Sequence, residues 1–180
     1  KYRYKRLPMG VCCSPDISQE IMEGIFGDLE FCEVFLDDIG VFSNSFEEHL
    51  EHLTIILDRL QDNGFTVNPL KCEWAVKETD WLGYWLTPTG LKPWKKKIDG
   101  ILKIQPPTTV KQMRSLVGAV NYYRDMWPRR SHFLAPLTDL VGKNKFTWLP
   151  QHQKAFEDLR TMVSTDALLA FPDHNLPFHI

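Results

Sequence analysis

No Cys-x-x-Cys pair occurs in this sequence, and its four cysteines, Cys12, Cys13, Cys32 and Cys72, have no matching histidine spacing either. Neither a zinc site nor a disulfide framework is indicated, so the cysteines read as reduced packing residues. Long hydrophobic runs are missing too. Every apolar stretch is far shorter than the roughly 18 residues of a membrane span, and no transmembrane segment is expected. There is no internal repeat and no low-complexity tract. The opening residues Lys1-Tyr2-Arg3-Tyr4-Lys5-Arg6 lack an initiator Met, an apolar signal core and a cleavage site. A cut from a longer polyprotein is the expectation. Excess charge is lacking as well, since the net value is -2, a total that by itself argues against nucleic acid.

Apolar material, by contrast, is ample. Within 180 residues, 43% are hydrophobic, including six Trp, eleven Phe and five Tyr, enough to bury a core for one ordinary domain or two small ones. Charge is sorted along the chain rather than mixed. From Asp16 to Asp58 there are twelve acidic residues and no Lys or Arg, whereas Lys92 to Arg130 holds ten basic residues against Asp99 and Asp125. The first segment suits cations and the second suits phosphates; on charge alone, two solvated faces that attract each other fit equally well.

Periodicity sets out the elements. Ser14-Pro15-Asp16 starts a helix over about 16–29, with Ile17, Ile21 and Ile25 on one face. Two apolar runs, Val34-Phe35-Leu36 and Ile39-Gly40-Val41-Phe42, flank Asp37-Asp38 in a β-hairpin pattern with the aspartates at its tip. Ser45 and Glu48 form a capping box for a helix that carries Leu50, Leu53, Ile56, Leu57 and Leu60 and ends at Gly64. Strands are predicted over 65–67, 72–76 and 81–86, the last turning at Pro88-Thr89-Gly90. Beyond Leu91 the pattern is helical: about 95–103, then a helix opened by Thr109 and Gln112 and stopped by Pro128, then 130–141 and 151–163. Pro106-Pro107 is a candidate hinge. Leu168 to Phe171 and Phe178 to Ile180 read as strands of a domain cut off within an element.

Paired aspartates between short strands suit a divalent cation, because Mg2+ takes hard oxygen ligands and commonly only one or two carboxylates with phosphate and water. The pair is also ordinary turn material. Neighbouring side chains on a strand point to opposite faces, which favours Asp37 over Asp38 as the close ligand. His49 and His52 lie three apart on the long helix and, with no third ligand in sight, read as helix surface.

The order of motifs resembles the polymerase of gypsy-type long-terminal-repeat retrotransposons over nearly the whole chain. Leu7-Pro8-Met9-Gly10, Ser14-Pro15 and Gln19 are similar to that family's Leu-Pro-x-Gly, Pro and Gln block, and Phe35-Leu36-Asp37-Asp38 resembles its Tyr-x-Asp-Asp hairpin. Phe42-Ser43 and His49 to Leu53, Lys71-Cys72, Trp81-Leu82-Gly83-Tyr84, Gly90-Leu91 and Leu116 to Arg124 follow in the family's order. Ala135 to Thr138, Phe146-Thr147-Trp148, Ala155-Phe156 and Phe171-Pro172-Asp173 complete the run. Phe35 stands where the family has Tyr, Met9 where it has Phe or Gln, and Ser18 where Phe is common.

The resemblance implies an α+β fold: a partial polymerase palm over 1–91 with a catalytic β-hairpin and a primer-grip hairpin, a mainly helical thumb over 92–165, and the first strands of a ribonuclease H-like domain over 166–180. It implies RNA-directed DNA synthesis with two Mg2+ ions, Mn2+ being the alternative, held by Asp37 and Asp38. Pro8, Met9, Gly10, Gln19 and Phe35 would line the nucleotide and template site, Gly10 because a Cβ would crowd the ligand. Trp81, Leu82, Gly83 and Tyr84 would form the primer grip, and Lys95, Lys96, Lys97, Lys111, Arg114 and Arg124 would meet the nucleic-acid backbone. Implied partners are an RNA or DNA template with primer, a dNTP, and the upstream palm and fingers and downstream ribonuclease H of the same polyprotein, without a membrane; the implied location is intracellular, in a cytoplasmic virus-like particle. The family's other essential Asp is expected upstream of Lys1 and the ribonuclease H acids downstream of Ile180, so the segment alone is expected not to polymerise. A decayed or domesticated copy that only binds nucleic acid is the alternative.

Overall fold

A computed structural model describes residues 4–142 and 146–172. The expected strand over 178–180, and Asp173 of the last motif, lie outside the described residues. The chain mixes helices with small sheets and divides into two compact units, 1–76 and 77–180. Residues 77–91 belong to the second unit.

In the first unit, helix α1 (Ser14–Phe26) precedes an antiparallel hairpin of β1 (Cys32–Phe35) and β2 (Asp38–Val41), and helix α2 (Phe46–Asp62) follows. Pro15 in the first turn and Asp16 beside it are local reasons for α1 to start there. The helix starts two residues earlier than expected and ends three earlier. Its buried apolar side chains are Met22 and Phe26, with Ile25 packed against them, while Ile17 and Ile21 are exposed, so the predicted stripe was rotated. At α2, the Ser45 hydroxyl accepts from Glu48 N at 3.1 Å, and the Glu48 carboxylate accepts from Asn44 N at 2.6 Å. This is a capping box displaced by one residue on its return arm. Only Ile56 and Leu60 of the apolar series are buried; Leu50 and Leu57 stay exposed. Arg59 staples α2 to α1 through the Ile25 carbonyl at 2.6 Å and the Asp28 carboxylate, and that guanidinium holds the Asp28 carboxyl below its usual range.

Cys32 sits in this core, 8% exposed, and burial, aided by the neighbouring Glu33 carboxylate, pushes its thiol up to about 11. A raised thiol pKa means that the reactive thiolate appears only as pH climbs toward that value. Labelling with a thiol reagent at neutral pH is therefore expected to modify the exposed Cys12 and Cys13 and spare Cys32. Peptide mass spectrometry across a pH series checks this, and equal labelling of Cys32 at neutral pH would contradict its packing.

The expected strands at 65–67 and 72–76 do not form; between them lies one 3-10 turn, Pro69–Lys71. Short apolar runs become strands only with a partner edge, and neither segment enters a sheet among the described residues.

The second unit begins with an antiparallel sheet of β3 (Thr79–Trp81), β4 (Tyr84–Thr87) and β5 (Gly90–Pro93), with β6 (Leu169–Ala170) paired to β5. The single strand expected over 81–86 is two strands, broken at Leu82-Gly83. The turn at Pro88-Thr89 is where it was expected. Helices α3 (Lys95–Leu102), α4 (Val110–Tyr122), α5 (Arg130–Thr138) and α6 (Pro150–Ser164) follow. Thr109 caps α4 by accepting from Gln112 N at 3.2 Å. Helix α4 stops at Tyr122, well before Pro128, because the turns beyond it bury Tyr123, Met126 and Trp127. These join Met113, Leu116, Val120, Leu137, Phe156, Leu159 and Val163 in one core. Each such side chain contributes roughly 1.5–3 kcal/mol on full burial. No helix among the described residues is long and apolar enough to cross a membrane.

Candidate active site

Phe35 pairs with Asp38 across the first hairpin, so its turn is Leu36-Asp37 and Asp38 opens β2. Of the two aspartates, only Asp37 is therefore a turn residue. Both are exposed, as is Phe35. Leu36 has a φ of 53°, a left-handed backbone that is costly for a bulky residue and persists only when its surroundings fix it.

Gln19 supplies that restraint. From one side of α1 its amide donates to the Val34 carbonyl at 3.0 Å and its oxygen accepts from Leu36 N at 2.6 Å. The same amide donates to Glu23 at 2.8 Å. One side chain thus grips the hairpin backbone on either side of Phe35. Gln19 is expected from the motif resemblance in the nucleotide site; its grip on hairpin residues fifteen and seventeen positions away had no local signal.

Behind the hairpin, Ser43 Oγ lies 3.1 Å from His49 Nδ1 and 2.8 Å from His52 Nδ1. His52 Nδ1 is also 3.2 Å from the Phe42 carbonyl, and its ring stacks on Phe31 at 3.6 Å between centroids. A consistent proton arrangement has His52 donating to Phe42 O and Ser43 donating to His49. The two histidines are not bare helix surface. They tie the exit of β2 to α2, and the Phe-Ser and His-x-x-His spacing was the signal that could have found them.

Pro8, Met9 and Gly10 are anchored differently. The buried Ser14 hydroxyl donates to the Pro8 carbonyl at 2.6 Å, fixing this segment to the start of α1. Met9 is 99% exposed. Gly10 has a φ of +85°, and a Cβ there would meet nothing within 4 Å of the chain. Backbone conformation is thus a sufficient reason for glycine.

In the second unit, Trp81 pairs with Tyr84 around the Leu82-Gly83 turn, so the four expected primer-grip residues form one hairpin end. Lys95, Lys96 and Lys97 share the first turn of α3 and are exposed, with Lys96 Nζ 5.0 Å from the Trp94 ring centroid. Lys111 is exposed on α4. Arg114 reaches the Val141 carbonyl at 3.4 Å and Arg124 pairs with Asp125 at 3.5 Å, so both have partners within the chain.

No group of three metal-type side chains occurs among the described residues. The donor set of Asp37 and Asp38, two exposed carboxylates with open surface for phosphate and water, nevertheless fits the share of a Mg2+ site that one hairpin can offer.

The chain is similar to known proteins along nearly its whole length. A family model described as reverse transcriptase (RNA-dependent DNA polymerase) matches residues 1–86. The retrovirus-related Pol polyprotein from transposon 297 of Drosophila melanogaster is 33% identical over 181 residues, spanning 98% of this chain and 17% of that protein. The transposon Tf2-3 polyprotein of Schizosaccharomyces pombe is 28% identical over 93% of this chain and 13% of its own length. The foamy viral protease-reverse transcriptase in complex with dsDNA superposes with a TM-score of 0.87 at 26% identity, covering 96% of this chain and 37% of that one. In complex with RNA/DNA hybrid the TM-score is 0.83, over 93% of this chain and 23% of that one. The chain thus spans less than a fifth of these curated relatives. With the motif order, the braced aspartate hairpin and these likenesses together, residues 1–86 carry a reverse transcriptase domain like that of retrotransposon Pol polyproteins.

Proposed function

We propose that this chain supplies part of the polymerase centre of an RNA-directed DNA polymerase from a gypsy-type retrotransposon. The observation that carries the reading is the exposed Asp37-Asp38 pair at a hairpin end whose backbone Gln19 holds. Residues 1–91 serve as the rear of the palm, 92–165 as thumb and 166–180 as the approach to ribonuclease H. Exposed apolar side chains such as Ile17, Ile21, Leu50 and Leu57 suit burial under the upstream palm and fingers.

Two Mg2+ ions, or Mn2+ in their place, would supply a lowered pKa at the primer 3'-hydroxyl and charge compensation on the dNTP triphosphate during in-line transfer. Asp37, in the turn itself, would offer the close ligand. Asp38, at the start of β2, offers the second or secures the turn. Phe35, exposed beside them, presents an apolar ring where the family has a tyrosine, so nucleotide stacking is kept and a hydroxyl contact is not. Foamy viral reverse transcriptase is complexed with RNA/DNA hybrid and dsDNA in the structures this chain resembles. A template-primer duplex is the corresponding partner here, with Lys95, Lys96 and Lys97 meeting its phosphates.

Binding by those lysines releases counterions, so affinity falls with salt. In the full-length protein, changing all three to alanine is expected to reduce the slope of log affinity against log salt by about two to three. Fluorescence anisotropy with a labelled template-primer measures it. An unchanged slope would remove α3 from the nucleic-acid surface.

A further inference from the structure

The turn between β3 and β4 is strained in an unusual way. A two-residue hairpin turn of this kind needs positive φ at both positions and favours Asn, Asp or Gly. Here Leu82 has a φ of 48° and Gly83 one of 79°. The leucine is the outlier, since nothing local to its side chain rewards a left-handed backbone.

The restraint comes from forty residues along the chain. Tyr122, the last residue of α4, donates its hydroxyl to the Leu82 carbonyl, and Tyr123 donates to the Gly83 carbonyl at 2.6 Å. Tyr84 completes the return by donating to the Tyr122 carbonyl at 3.0 Å. The three rings also pack on one another: Tyr84 stacks on Tyr122 at 5.6 Å, and Tyr123 meets the other two edge-on at 5.3 and 5.0 Å. Tyr123 is 1% exposed. A Cβ on Gly83 would stand 3.0 Å from the Tyr122 hydroxyl and 3.2 Å from its ring, so a larger residue would have to shift Tyr122 by a few tenths of an ångström as well as adopt a positive φ. Burial pushes the Tyr123 hydroxyl up to about 12 and raises that of Tyr84, so both remain protonated donors at neutral pH.

We infer that Tyr122 and Tyr123 are positioning residues of the polymerase: their hydroxyls hold the Leu82-Gly83 turn in its left-handed form, locking the primer-holding hairpin to helix α4. Neither tyrosine touches the reacting atoms. Both act through the turn, and what they set is the fraction of bound primers whose ends are productively seated. This rests on the polymerase reading above.

The test uses full-length enzyme in which Tyr122 and Tyr123 are both changed to Phe, which keeps the rings and removes the donors. Single-nucleotide addition is followed before steady state, with burst amplitude taken relative to template-primer bound. The expected loss of amplitude is about fivefold or more, while template-primer affinity stays within about threefold. Adding Leu82→Gly, which removes the penalty for positive φ, is expected to restore part of the amplitude. A full burst in the double variant overturns the inference, as does a loss that Leu82→Gly leaves uncorrected. A melting temperature lower by about 10 °C or more would also overturn it, by making the tyrosines general core residues. Asp37→Asn run in parallel separates the two levels: a normal burst there sinks the polymerase reading itself, whatever the tyrosines do.

Discussion

Asparagine in place of Asp37 is expected to lower primer extension by the full-length protein by roughly a thousandfold or more, with template-primer affinity changed less than about threefold. The two side chains have nearly the same size, and Asn is a good turn residue, so the hairpin keeps its shape. What disappears is a negative oxygen ligand at an exposed site where no third carboxylate, histidine or cysteine stands close enough among the described residues to replace it. Binding survives because the basic surface of α3 is unaltered. Asp38→Asn is expected to cost less, since Asp38 lies within the pairing of β2 opposite Phe35. Steady-state extension on a primed template, with anisotropy for binding, separates these effects. Extension by Asp37→Asn near the unmodified rate would refute the ligand role.

Gln19→Met carries the second large effect. Methionine matches the length and keeps helix α1, but it can neither accept from Leu36 N nor donate to the Val34 carbonyl. Two neutral hydrogen bonds contribute about 1 kcal/mol each, and the left-handed Leu36 they restrain costs about 1–3 kcal/mol. Released hairpins would relax toward an unstrained turn, so the productive form loses by about 2–3 kcal/mol, or roughly 30- to 160-fold in extension rate. Nucleotide KM and kcat distinguish the possibilities. A fall in kcat with KM little changed fits hairpin bracing, whereas a rise in KM alone would return Gln19 to the nucleotide pocket.

Much of the fold was legible because its signals were local. Ser45 with Glu48 and Thr109 with Gln112 announce helix starts through bonds three residues long, and those starts are correct. The first hairpin was legible from two apolar runs around a polar pair. What could not be read depends on distant partners. The segments over 65–67 and 72–76 have strand-like composition but join no sheet among the described residues, and composition cannot supply a partner edge. Leucine is a poor turn residue, so Leu82 gave no hint of the break between β3 and β4; Tyr122 and Tyr123 make that turn stable. The first hairpin follows the same pattern, with Leu36 left-handed and Gln19 from a helix holding it. The aspartates were found as a motif, while the bonds by which Gln19 supports their hairpin are visible only once the chain is folded.

Localised oxidative cleavage tests the metal site where it matters. Fe2+ put in place of Mg2+ in the full-length protein, with ascorbate and peroxide, cuts the backbone beside the ion it replaces. Scission mapping to residues 36–38, suppressed by excess Mg2+ and lost in Asp37→Asn, is the result that fits a carboxylate ligand at the first hairpin. Cleavage confined to other segments, with this hairpin intact, would contradict it.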